Sequence, residues 1–130
     1  MKLSIYLKKK YKIKSNFILG HSDIAPDRKK DPGEKFPWKY LSKNKIGQWH
    51  YLNEKKLFKK RNRIVDRLEK NIFIKNLYKL GYPKNILFNK YKYSKLLITA
   101  FQRRFRQELV NGIIDQECLF ISNNLAKNLK

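Results

Sequence analysis

The second half of the chain sets its apolar residues at helical spacing in three successive runs, which restricts it to a small helical unit. Ile64, Val65, Leu68, Ile72, Leu77 and Leu80 form the first run, stopped by Gly81-Tyr82-Pro83. A second helix is predicted from about Ser94 to Arg106, with Leu97, Ala100, Phe101 and Phe105 on one face. Asn111-Gly112 then turns the chain, and Asp115 is placed to N-cap a third helix that points Leu119, Ser122 and Ala126 inward. Residues 64–130 therefore read as a three-helix unit.

The first half is built differently. Leu3, Tyr6, Leu7 and Tyr11 keep helical spacing, with Lys8, Lys9 and Lys10 on the other side. Phe17-Ile18-Leu19 is a short apolar run before Gly20 and reads as a buried strand that delivers His21 to its end. From Ser22 to Trp49 the chain is rich in Pro, Gly, Asp and Lys, so it is mostly loop, with one helical turn near Trp38–Leu41. A loop of this length is either functional or disordered, and Phe36, Trp38 and Trp49 supply anchors that order it. Residues 53–63 form a basic run with little to bury, predicted to be a solvated linker or the first turn of the next helix. The expected fold class is mainly α with a small α/β remnant.

At 130 residues, with 42% of them hydrophobic, the chain can build a core, although two separate pieces of this size would each be marginal. Its net charge of +22 attracts polyanions: nucleic acid, acidic lipid or carboxylate-rich peptides. Lys far outnumbers Arg, and Asn and Ile are abundant, a bias that an AT-rich coding sequence produces on its own. No zinc finger or RNA-binding motif is recognisable, so nucleic acid is not the expected partner. The single Cys118 excludes an internal disulfide and a multi-Cys zinc knuckle, and its apolar setting predicts a buried structural thiol. The apolar run in Met1–Lys8 is too short for an export signal or membrane span.

The chemistry is concentrated in Gly20-His21-Ser22-Asp23-Ile24-Ala25-Pro26-Asp27-Arg28-Lys29-Lys30-Asp31-Pro32-Gly33, followed by Phe36-Pro37-Trp38 and Ile46-Gly47-Gln48-Trp49. His21 and Asp31 can converge as imidazole and carboxylate on one Zn²⁺, with Pro26 and Pro32 stiffening the loop between them. Lys29 would then lie where an ammonium stabilises charge developing on a carbonyl oxygen. A lone His with an Asp nearby is more often an ordinary surface pair than a metal site, and the residues alone leave both readings open. His50 matches no pattern and reads as a partly exposed histidine at a boundary.

Over roughly residues 3–50, this stretch resembles the second half of the zinc-dependent N-acetylmuramoyl-L-alanine amidases of the phage-lysozyme-like fold. The resemblance rests on Gly-His-Ser-Asp-Ile-Ala-Pro, then Arg-Lys, Asp-Pro-Gly and Phe-Pro-Trp, in order and spacing. It implies that His21 and Asp31 are zinc ligands and that Lys29 assists catalysis. The family's early zinc-ligand His and its acidic catalytic residue fall upstream of the matched region, so residues 1–52 are expected to be the C-terminal part of an incomplete amidase domain. Residues 64–130 resemble the peptidoglycan-binding domain that follows such amidases, through Leu80-Gly81-Tyr82, Ala100-Phe101-Gln102-Arg103-Arg104-Phe105-Arg106, Asn111-Gly112 and Asp115. The implied partners are peptidoglycan or muropeptides, and a separate chain supplying the missing amidase half. The binding module favours the cell envelope or periplasm of a bacterium; the absent export signal favours the cytoplasm.

Overall fold

Three capped helices make the core. The computed structural model describes residues 1–84 and 89–129; residues 85–88 and Lys130, both inside the expected helical unit, lie outside them. The elements are α1 (Lys2–Lys10), a 3-10 turn (Ser15–Phe17), α2 (His21–Ile24), α3 (Trp38–Lys43), α4 (Glu54–Phe58), α5 (Arg67–Lys79), α6 (Lys90–Phe105) and α7 (Gln116–Lys127).

Each long helix starts where a side chain satisfies its free N–H groups. Asp66 accepts from Glu69 N (2.8 Å) while Glu69 accepts from Asp66 N (2.9 Å), a reciprocal capping box that opens α5. Asn89 accepts from Tyr91 N and Lys92 N at the head of α6. Asp115 accepts from Cys118 N (3.0 Å) at the head of α7, as its sequence position predicts. Phe73 and Leu77 from α5, Leu97, Ala100, Phe101 and Phe105 from α6, and Cys118, Leu119, Ile121 and Leu125 from α7 fill the space between them. Phe73 meets Phe101 edge-on with centroids 5.0 Å apart. Burial raises the Cys118 thiol to about 12, which makes it an inert packing residue, as expected.

Several expectations need correction. The first long helix begins at Arg67 rather than Ile64, because the Asp66–Glu69 box starts it only after Val65. Phe73 and Leu77 then take the core face, while Leu68 and Ile72 turn to solvent together with Ile64. The second begins at Lys90, four residues earlier than the apolar pattern suggests, because Asn89 caps it. Phe17-Ile18-Leu19 is not a buried strand: Phe17 ends the 3-10 turn and is 66% exposed. A strand needs a neighbour, and among the described residues the only sheet-type pairing is one bridge between Ile64 and Asp115. The fold is mostly helical, and the part expected to be an α/β remnant contains no strand among the described residues.

The 53–63 run is also more than a solvated tether. Asn53 caps α4, Leu57 is buried in the core, and Arg61 bonds Glu117 (2.6 Å) and Glu108 (2.5 Å), so the segment is fastened to α7. Among the described residues no helix is long and apolar enough to cross a membrane.

Candidate metal centre

The His21–Asp31 pair is assembled by the loop around it. Gly20 N donates to Asp23 Oδ2 (2.8 Å), which opens the short helix α2 with His21 as its first residue. Ser22 N donates to the carbonyl of Asp31 (2.9 Å), drawing the two ends of the loop together. Pro32 lies directly against Gly20: a Cβ there would fall 2.5 Å from Pro32 Cδ and 3.3 Å from the Trp38 ring. Only glycine permits this approach, so Gly20→Ala is expected to push the 31–33 segment away and separate the pair. A change in the His21 imidazole NMR shifts, with the helical far-UV spectrum preserved, checks this; unchanged shifts would refute it.

Within the loop, His21 Nδ1 and Asp31 Oδ2 are in direct hydrogen-bond contact. Both side chains are open to solvent, at 71% and 60% exposure. The His21 hydrogen bond holds the Asp31 carboxyl below its usual range, partly offset by the desolvation it suffers; the charges of His21 and Lys29 act in the same direction as the bond. Lys29 is exposed on the same loop, its N–H bonded to the Ala25 carbonyl (2.8 Å). The structure thus gathers all three residues singled out from the sequence on one loop.

The donor set fits part of a zinc shell. Zn–N and Zn–O bonds of about 2.0–2.2 Å at tetrahedral angles set the two donor atoms roughly 3.3 Å apart. An exposed imidazole and an adjoining ionised carboxylate reach that spacing with small side-chain rotations. Among the described residues no third His, Cys, Asp or Glu joins them.

His50 is not a third donor, nor is it partly exposed as expected. It is 7% exposed and stacks on Trp49 at 5.2 Å, and its Nδ1 is buried without a hydrogen-bond partner. Burial lowers its pKa to about 4 from 6.5. Because the folded form favours the neutral imidazole, its stabilising contribution is complete above pH 6.5 and is lost as pH falls toward 4. The expected loss across that window is about 3 kcal/mol. Urea unfolding at pH 7 and pH 4 should show the decline, and His50→Phe should flatten it; an unchanged slope in the variant would assign the decline elsewhere.

Sequence reasoning missed the buried seam behind the pair. Asp23, in the same motif, is 5% exposed and accepts from Gly20 N, from the Tyr82 hydroxyl (2.7 Å) and from the Arg104 guanidinium. Arg104 also donates to the Ile18 carbonyl (3.1 Å) and lies 4.0 Å over the Trp38 ring. Tyr82 and Arg104 belong to the helical part, so this network clamps the His21–Asp31 loop onto α6. The available signal was an arginine among the core residues of Ala100–Phe105. A second buried network serves the turn after α6. Gln102 accepts from Asn111 N and Gly112 N, and Arg106 bonds Asp115 and Asn111.

Comparison with known proteins now gives this arrangement a class. No family model matches the chain. Over nearly its whole length, however, it is similar to N-acetylmuramoyl-L-alanine amidases. One curated relative is AmiD of Escherichia coli strain K12, 31% identical over 118 residues, covering 91% of this chain and 42% of that protein. E. coli AmiD in complex with anhydro-N-acetylmuramic acid-L-Ala-D-gamma-Glu-L-Lys matches with a TM-score of 0.82 and 30% identity, over 97% of this chain and 49% of that one. AmpDH3 of Pseudomonas aeruginosa matches with a TM-score of 0.78 and 29% identity, over 97% of this chain and 50% of that one. The chain spans about half the length of the relatives it matches.

Proposed function

We propose that the chain is the C-terminal half of a zinc-dependent N-acetylmuramoyl-L-alanine amidase acting on peptidoglycan or muropeptides in the bacterial envelope. The observation that carries this is the convergence of His21 and Asp31, with Lys29 on the same loop, in a fold that matches a muropeptide-bound amidase. His21 and Asp31 would hold the zinc, which when bound lowers the pKa of a water to about 7 and polarises the scissile carbonyl. The Lys29 ammonium would stabilise the oxyanion that forms when water oxygen bonds to the carbonyl carbon, before the C–N bond to L-alanine breaks. A third ligand and a proton carrier for the departing amine are required of a complementary polypeptide, on the same chain or another. Residues 64–130 would serve as the peptidoglycan-binding module, raising the local concentration of substrate.

Metal binding tests this reading. Two donors hold zinc poorly, so residues 1–130 alone should lose it on dialysis against a mild chelator, and His21→Ala should remove the remaining affinity. The decisive protein is a chimera in which this chain replaces the matched stretch of E. coli AmiD. It should retain one zinc per molecule, and Asp31→Ala should release it. A folded chimera that holds zinc equally well without His21 and Asp31 would overturn the assignment.

A further inference from the structure

A cleft of about 630 Å³ lies between the 3-10 turn, α3, the Trp49–His50 segment and the end of α7. Among the described residues it is lined by Lys14, Lys39, Lys43 and Lys45 and by no acidic side chain, and neither His21, Lys29 nor Asp31 reaches it. We infer that this cleft is a second binding site, apart from the metal loop, which takes the free carboxylates of a peptidoglycan stem peptide. The inference rests on the proposed function for its choice of ligand, and on the cleft itself for its chemistry.

The cleft's charge is uncompensated. Lys39 is neutralised by Glu54 at 2.7 Å, but Lys14, Lys43 and Lys45 are exposed and have no acidic partner among the described residues. Three like charges on one concave surface repel each other, and the repulsion is relieved when an anion enters. The Lys45 carbonyl, which would oppose an anion, is already engaged by Ser15 Oγ (2.9 Å) and by Lys8 Nζ. Lys45 itself has φ 59°, a conformation that Gly or Asn adopts at lower cost. A lysine there gains nothing for the turn, and what it contributes is its charge.

Neutral groups complete the wall: Trp49 and His50 lie against the cleft, with the indole N–H and His50 Nδ1 buried behind its surface. Ser15, Asn16 and Gln48 add uncharged polar groups around the lysines. Together they suit a peptide with carboxylates and amides, rather than a bare inorganic ion or a flat lipid surface.

Titration of a carboxylate-bearing muramoyl tripeptide, followed by calorimetry at physiological salt, tests the site. In the Asp31→Ala background, where the metal loop is disabled, binding should persist. Lys43→Glu/Lys45→Glu should weaken it at least tenfold, whereas Lys70→Glu/Lys75→Glu, the same charge change on α5, should alter it less than twofold. Equal losses in both variants would show attraction by overall charge and overturn the site. So would undiminished binding of the ligand with its carboxylates amidated, or a short DNA duplex binding more tightly through the same lysines. If binding fails while the AmiD chimera still turns over substrate, this inference falls alone; if binding holds and the chimera is inert, the catalytic reading falls instead.

Discussion

Replacing Arg104 with alanine is expected to destabilise the fold by about 3–5 kcal/mol, the cost of leaving a buried carboxylate without its partner. Arg104 and Asp23 are 3% and 5% exposed, so neither is screened by solvent. Without the guanidinium, Asp23 keeps only the Gly20 N–H and the Tyr82 hydroxyl, and the Trp38 ring loses the cation lying 4.0 Å above it. Domains of this size have about 5–15 kcal/mol in total, so the variant should unfold at markedly lower urea. The seam should also separate first, with residues 20–33 gaining amide exchange ahead of α5 and α7. Asp23→Asn combined with Arg104→Met should recover much of the loss, because removing both charges leaves neither uncompensated. An Arg104→Ala variant within 1 kcal/mol of the wild type would mean that water reaches Asp23 and that the seam is not a clamp.

That seam marks where sequence reasoning stops. Local chemistry was legible: the Asp115 cap, the apolar faces of α6 and α7 and the turn after Leu80 all depend on residues a few positions apart. His21 and Asp31 meet for the same reason, since one loop brings them together. The face of α5 was misread because Asp66 and Glu69 decide where that helix begins, and Leu68 and Ile72 fit an apolar stripe without being covered. The strand expected at Phe17–Leu19 needed a partner strand, which no local pattern can supply. Asp23, Tyr82 and Arg104 are separated by 59 and 81 positions, and nothing in a single sequence couples them. The motif Gly-His-Ser-Asp drew attention to His21, yet its Asp holds the two halves together.

The largest expected effect is on catalysis. Muramoyl-alanine cleavage by residues 1–130 alone should be undetectable, because the reaction requires an activated water, a polarised carbonyl, an oxyanion stabiliser and a proton donor to the leaving amine. The described residues bring the two proposed metal donors, His21 and Asp31, and the proposed stabiliser, Lys29, and they contain no cluster of three metal-binding side chains. General acid–base help alone is worth about 10²–10⁴-fold, and a weakly held metal forfeits more than that. The chimera with the remaining half of E. coli AmiD should cleave, since it adds the missing donors to a surface that already matches its relative at a TM-score of 0.82. In that chimera Asp31→Ala should abolish turnover by releasing zinc. Lys29→Ala should leave zinc in place and lower kcat by about 10²–10³-fold, the effect of removing one oxyanion stabiliser. Release of the peptide from a muropeptide, followed by chromatography, reads all three outcomes. Turnover by the 130 residues alone in zinc-replete buffer would show that two donors suffice, and a Lys29→Ala chimera with unchanged kcat would remove that lysine from the chemistry.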